Sequence, residues 1–548
     1  MHRFPIGFPS DRLIWKIPNH IVPLFLGLGL AIITLADIFS PIDGRFGTAG
    51  TIVWLFLWFS LLCYTLHSFT GELMRKHLPV YTFVICLLLA SATIGEARES
   101  RHVSGETTIE IGCILQELAN ADDSGWHARC LSRYPARQLL VPALPTILTD
   151  RSVWALQTGT AILFTLSVVM FASGMLRLLR ENRHRDLLTA IGISIMYQVT
   201  HVLYLLYSYE QSILPMISTL FLVGLYLQFR EKPSGTPLLY MVFLLITLVH
   251  GYTTGLAVLP LAAALILAHA FLRGMVHIDP WKAFAILLLV GLHVAISFTY
   301  RTDFTIYSGD KPLASFGLEL AQLGRHLFYQ AETLLYSNYL FQGFLMFFIA
   351  CMSLGAFGWR LAAIGWWSAG VLIASILLRG YSYYGIHFSL HRSVIILPVL
   401  IATATMLVNS RTLPKTAVKI LQIALLLLLT EGVFAHYDYL QIKPVETRGA
   451  ISAQLAKELP QLPPGIQGTI LFLPKPKDTY LIALPDFMAY FLPSYNMETI
   501  GSKCQDIASI GSGKYLITQV IIPQHCPDTV SGLRQINTLG DVRLYRKE

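Results

Sequence analysis

The chain has 548 residues, 54% of them hydrophobic and only 13% charged, with a mean hydropathy of +0.57 and a formal net charge of +8. That apolar share exceeds what soluble domains carry, which points to a polytopic membrane protein. Lys and Arg fall mostly in short connectors, so the positive charge implies no nucleic-acid partner, and neither a Gly-rich phosphate loop nor zinc-type Cys/His spacing supports soluble nucleotide chemistry.

A span needs about 20 mainly apolar residues, fewer where neighbouring helices cover its ends. On that rule the sequence predicts an α-helical polytopic membrane protein with thirteen transmembrane helices, near 20–39, 50–68, 78–94, 152–176, 187–207, 212–229, 236–250, 253–272, 281–299, 339–357, 361–378, 393–408 and 417–434. The first resembles a signal peptide, but equally apolar runs follow it and no small-residue cleavage site does, so it is read as a membrane helix.

The count can be tested by charge, because one helix more or fewer inverts every later connector. With the N-terminus inside, the cytoplasmic connectors hold Arg75 and Lys76, then Arg177, Arg180, Arg183 and Arg185, then Arg230 and Lys232, Arg273 and Lys282, Arg360, and finally Arg411, Lys415 and Lys419. Each inner connector carries a basic residue. Three long segments then fall outside: 95–151, 300–338, and everything after about 435.

In the first of these, SGETTIEIGCILQELANADDSGW carries Glu106, Glu110, Glu117, Asp122 and Asp123 without a Lys or Arg. On a helix, Glu106, Glu110 and Glu117 share one face at i, i+4 and i+11, which calls for a cation, a proton or a substrate opposite. A carboxylate held near the bilayer among apolar groups can act as a general base; a solvated surface helix is the alternative. Arg129, Arg133 and Arg137 follow, against the charge trend. They suit a phosphate, or pair with the acids of the same loop.

The segment 300–338 reads as an amphipathic surface helix, with Glu319, Arg325, His326 and Glu332 among apolar residues at helical spacing. Further outer-side candidates are Glu210, His250, and the run LRGYSYYGIHFSLHR with Arg379, Tyr383, His387, His391 and Arg392. Aromatic rings with two Arg and two His suit a sugar joined to a phosphate, although tyrosines are also ordinary interface anchors.

Past the last span the composition turns polar and Pro-rich. Residues 1–434 read as the membrane domain and 435–548 as a small extracytoplasmic α/β domain, with helices near 446–459 and 480–492 and strands in TILFL, YLITQVII and VRLYR. Cys113 and Cys130 share the first outer loop, and Cys504 and Cys526 the tail. An oxidising compartment permits two disulfides there; reduced thiols are the alternative.

This layout resembles the GT-C membrane glycosyltransferases, in particular the branch with the protein O-mannosyltransferases and the lipid A aminoarabinose transferase. The likeness rests on Gly105-Glu106 opening TTIEIGCILQEL, on Asp123-Ser124-Gly125-Trp126, on Arg133-Tyr134-Pro135 with LLVPALP, and on the basic residue and ILP run after His391. It implies a bacterial inner-membrane enzyme that moves a sugar from a polyprenyl-phosphate donor, with inversion, to an extracytoplasmic glycan, lipid or protein. It implies Glu106 as base, with Glu110, Asp122, Asp123 and Glu210 as competitors, and the Arg and His residues on the donor phosphate.

Two departures stand out. Gly105 replaces the Asp of the family's Asp-Glu pair, and the loop follows the third span instead of the first, which makes Asp37 and Asp43 fallback acids. The sequence does not choose between metal-free donor binding and Mg²⁺ or Mn²⁺. Other readings are an O-antigen polymerase or ligase using pyrophosphate-linked glycans, and a transporter of lipid-linked substrate, for which Asp37 and His293 would be the charged residues within spans.

Overall fold

The structure is a computed structural model. It describes residues 47–97, 153–198, 213–231, 397–408 and 413–441, six positions between 25 and 32, and most of 448–548 apart from 463–465, 467, 474–487, 489–490, 493, 502, 520, 527–531 and 540.

Seven long helices make up the described apolar part: α1 Gly47–Lys76, α2 Leu78–Ala97, α3 Val153–Leu178, α4 Arg185–Gln198, α5 Ile213–Glu231, α6 Leu397–Val408 and α7 Lys415–Gln441. The described positions between 25 and 32 are also helical, so eight of the thirteen expected spans have a helix where the sequence places one. The spans near 236–250, 253–272, 281–299, 339–357 and 361–378 lie outside the described residues, as does the segment 300–338.

Two helices outrun their expected ends. The span near 50–68 continues to Lys76, because no breaker occurs before Pro79. That proline has no N–H and its ring would clash with the carbonyl four residues back, so the chain restarts as α2 with Pro79 in the first turn, where the missing donor costs nothing. The last span runs to Gln441 instead of 434, since helix-compatible residues continue until shortly before Pro444.

The helices pack apolar on apolar and still expose apolar side chains. On α2, Val80, Tyr81 and Val84 are buried, while Leu78 is 64% and Leu89 60% exposed. On α7, Leu421 and Leu425 are buried, while Ile420, Ile423 and Leu427 are exposed at i, i+3 and i+7. A helix apolar on both faces and only half covered by protein has hydrocarbon as its remaining solvent.

Hydroxyls follow the same logic. Those of Thr65, Thr70, Thr165, Ser173, Ser194, Thr405 and Thr430 each donate to the carbonyl four residues earlier, and Ser167 to the one three earlier, so no free hydroxyl faces lipid at these positions. Among the described residues, Ala161–Leu178 in α3 is long and apolar enough to cross a membrane. This helix is also the centre of the packing, touching α1, α2, α4, α5 and α6.

The contact of α3 with α5 depends on two glycines. A Cβ on Gly174 would stand 2.8 Å from the Gly224 carbonyl oxygen, and one on Gly224 only 2.6 Å from the Met170 carbonyl oxygen. Backbone meets backbone here, the small-residue solution to helix association in a medium as apolar as the side chains themselves.

The C-terminal part is an α/β unit. Five strands, β1 Gly468–Leu473, β2 Tyr495–Thr499, β3 Tyr515–Thr518, β4 Leu533–Leu539 and β5 Val542–Lys547, form one sheet in the order β2-β1-β3-β5-β4. β2, β1 and β3 are parallel; β5 is antiparallel to β3 and pairs with β4 as a hairpin. Alternation sorts the side chains: Ile470, Phe472, Ile517 and Leu544 face a core with Ile451 and Leu455 of α8 Arg448–Lys457, while Leu471, Leu473, Leu516 and Tyr545 face a second core with Ile507 and Ile522. The sheet is thus covered on both faces, as parallel sheets are.

The helix expected near 446–459 is α8, and Met488 and Phe491 are helical within the one expected near 480–492. Two expectations fall short. The strand read over YLITQVII ends at Thr518, and the chain then enters the short helix α10 Ile522–His525, which has a proline in its first turn. Strands β2 and β4 have no counterpart in the sequence reading. Cys504, at the start of α9 Cys504–Ala508, is joined to Cys526 after α10 with Cα atoms 5.5 Å apart, so the two short helices are clipped together over the second core. Cys113 and Cys130 lie outside the described residues.

Candidate functional site

Residues 98–152, which carry the predicted acids, lie outside the described residues and connect the end of α2 to the start of α3. The other ends of those helices meet at a junction of hydrogen-bonded side chains. The Ser173 hydroxyl donates to the Val169 carbonyl and has no second proton, so the 2.7 Å contact between Tyr81 and Ser173 is donated by the tyrosine. Just beyond the helix ends, buried His77 lies with Nδ1 2.8 Å from Asp186 Oδ1, and Arg177 reaches across to the Phe69 carbonyl at 3.5 Å.

These contacts hold the turn around 75–77 against the turn 179–184 on one side of the bundle. At about 1.5 Å per residue, α2 and α3 rise roughly 30 and 40 Å from there. The Arg-rich turns lie at this end of α2 and α3, and the helix ends that flank residues 98–152 lie at the other.

The predicted chemistry itself lies outside the described residues: Glu106, Glu110, Asp122, Asp123 and Glu210 as acids, and Arg133, Arg137, His250, Arg379, Tyr383, His387, His391 and Arg392 as donor-binding groups. So do Asp37, Asp43 and His293, and with them the acids that would hold Mg²⁺ or Mn²⁺. Sequence reasoning did not foresee the His77–Asp186 pair or the Tyr81–Ser173 bond. Their partners are 109 and 92 residues apart, and no local pattern links them.

Among the described residues, three metal-type ligands come together only in the C-terminal unit, where Cys504, His525 and Cys526 place their ligand atoms within 4.8 Å of one another. Both sulfurs are consumed by the disulfide and cannot serve as thiolates. In the same unit, Tyr495 is enclosed against Tyr515, with Arg546 lying over the Tyr515 ring. Burial first, and the neighbouring Tyr515 second, push its hydroxyl up to about 12 against the opposing pull of Arg546, and it donates to the Pro460 carbonyl at 2.8 Å. A tyrosine so held locks the β2 edge and is a poor proton donor to substrate.

No protein-family model and no curated protein sequence matches the chain. Solved structures do. The crystal structure of ArnT from Cupriavidus metallidurans bound to undecaprenyl phosphate superposes with a TM-score of 0.52 at 12% identity, over 87% of this chain and 98% of that one. The apo state of the same protein gives 0.50 at 10% identity, over 85% and 98%. At these identities the likeness is one of fold. The chain has the ArnT architecture, the GT-C polytopic membrane fold that the sequence resemblance implies.

Proposed function

We propose that this protein is a GT-C membrane glycosyltransferase that moves a sugar from a polyprenyl-phosphate donor to an acceptor outside the cytoplasm. The observation that carries the reading is the fold, shared along nearly the whole length of a protein crystallised with undecaprenyl phosphate. The charge pattern of the sequence, with basic residues in the connectors expected inside and acids in a segment expected outside, supports it. The Cys504–Cys526 disulfide supports an exported C-terminal unit, because such bonds persist in oxidising compartments. On this reading the chain is a multi-pass protein of the bacterial inner membrane with its N-terminus inside, a membrane domain over 1–434 and an extracytoplasmic domain over 435–548.

In the proposed reaction the acceptor oxygen attacks the anomeric carbon, the bond from that carbon to the phosphate oxygen breaks, and polyprenyl phosphate leaves with the electron pair. The acceptor proton passes to a carboxylate, for which Glu106 is the first candidate and Glu110, Asp122, Asp123 and Glu210 the competitors. Arg379, His387, His391 and Arg392, with Arg133 and Arg137, neutralise the departing phosphate, while Tyr383 and His250 line the sugar. Direct displacement inverts the anomeric carbon.

The test uses the purified full chain and undecaprenyl phosphate carrying different sugars, with release of undecaprenyl phosphate as readout. Loss of the essential base lowers turnover by about 10²- to 10⁴-fold. If Glu106→Gln, Glu110→Gln and the Asp122→Asn/Asp123→Asn double variant all keep wild-type transfer while Arg392→Ala abolishes it, the base mechanism is wrong.

A further inference from the structure

We propose that the interlocked turns at residues 72–77 and 177–186 form a binding surface for the headgroup of an anionic phospholipid. The inference rests on the membrane fold and not on the transfer reaction. These two segments, remote in sequence, hold six Arg or Lys residues (Arg75, Lys76, Arg177, Arg180, Arg183 and Arg185) against three acids, Glu72, Glu181 and Asp186. The acids are already engaged. Glu72 is 2.7 Å from Lys76, and Asp186 takes both His77 and Arg185, at 2.8 and 3.6 Å; Glu181 also has an interaction of its own.

Among the described residues the basic groups of the two segments thus outnumber the acids six to three. Arg177 sits at the inner edge of the surface, half-buried between α1 and α3. Its guanidinium has one long contact, to the Phe69 carbonyl, and its Nε is enclosed without an acceptor. A guanidinium cannot shed its proton, so Arg177 keeps a fixed positive charge at this edge. Arg75 and Arg183, one on each segment, are exposed, and Met74 and Leu78, also exposed, add apolar surface at the α1–α2 turn.

That combination decides between anions. A free phosphate would use the arginines alone, whereas a lipid phosphate also places its chains on the apolar flank. Juxtamembrane basic clusters attract anionic headgroups through the surface potential and through direct contact. The partner that fits is an anionic phospholipid such as phosphatidylglycerol, at the face where the interlocked turns emerge.

The experiment measures thermal unfolding of the full chain in a neutral detergent, with mixed micelles of phosphatidylglycerol or phosphatidylcholine at equal mole fraction, and with inorganic phosphate alone. Phosphatidylglycerol is expected to raise the midpoint by several degrees more than phosphatidylcholine, and the Arg75→Gln/Arg183→Gln double variant is expected to lose at least half of that difference. Equal shifts from the two lipids, an unchanged difference in the variant, or the same shift from inorganic phosphate overturns the proposal. Should the variant fail to fold, the wild type decides: 0.5 M salt must collapse the phosphatidylglycerol-specific shift, roughly as expected when the Debye length falls to a few ångströms, and a shift that survives it overturns the proposal.

Discussion

Replacing Gly224 by alanine tests the helix packing at its tightest point. The new Cβ would lie 2.6 Å from the Met170 carbonyl oxygen, 2.7 Å from its carbon and 2.8 Å from the Phe171 nitrogen, where ordinary contact begins near 3.4 Å. All three are backbone atoms, so no rotamer change can relieve the clash. α3 and α5 must part by about 0.8 Å, and a gap of that size forfeits a quarter to a half of each neighbouring dispersion contact, about 0.1–0.2 kcal/mol apiece before the loss.

Over on the order of twenty atom pairs the loss comes to about 1 kcal/mol, and strain brings it into the ~1–3 kcal/mol range of overpacked sites. Against this, removing a glycine from a helix interior returns roughly 0.5–1 kcal/mol. The net expectation is destabilisation by about 1 kcal/mol for Gly224→Ala and clearly more for Gly224→Val. Gly71→Ala is the control: its Cβ would meet only the His67 ring, at 3.7 Å, so only the propensity gain remains and the protein is stabilised slightly. Thermal unfolding of the full chain in detergent reads both. If Gly224→Ala melts with or above Gly71→Ala, the close approach of α3 and α5 is refuted.

Tyr81→Phe deletes the donor to Ser173 and is expected to cost about 0.6 kcal/mol, the average of interhelical bonds within membranes, while Ser173 keeps its bond to Val169; loss of folding would show that the junction depends on this bond far more than its energy implies. Cys504→Ser/Cys526→Ser opens a link spanning 22 residues and should destabilise the C-terminal unit by about 2–4 kcal/mol, seen as proteolysis confined to that unit in the full chain. The folded value of Tyr495 lies above the ordinary tyrosine value of 10.0, so the unfolded chain loses that proton first. Its contribution to stability is complete below about pH 10 and disappears as pH rises to about 12. Denaturant unfolding across that window should fall more steeply for wild type than for Tyr495→Phe, and parallel curves would contradict the assignment.

The eight helices that the described residues share with the expected spans were legible because membrane helices are written locally: a helix must satisfy its own backbone bonds in lipid, so each needs its own apolar run. The run from 153 to 178 and the charged turn after it declare themselves without reference to the rest of the chain. In the sheet, legibility followed burial. β1 and β3 lie in the interior with both faces covered and read as apolar runs, and VRLYR of β5 shows apolar alternation. The strands that escaped notice, YNMET and LRQINTL, are the two edges, where one flank needs no partner and polar residues are tolerated.

The candidate site divides in the same way. Residue chemistry and the alternation of basic connectors lead to the expectation of an outer, acid-rich segment by counting along the chain, and its acids lie outside the described residues. That His77 meets Asp186 and that Gly174 and Gly224 touch backbone to backbone were decided by the tertiary structure alone, whereas the Cys504–Cys526 bond is a permitted pairing in the sequence that the structure selects. Each depends on where a distant helix or turn comes to rest, and nothing in the spacing of the partners encodes that distance.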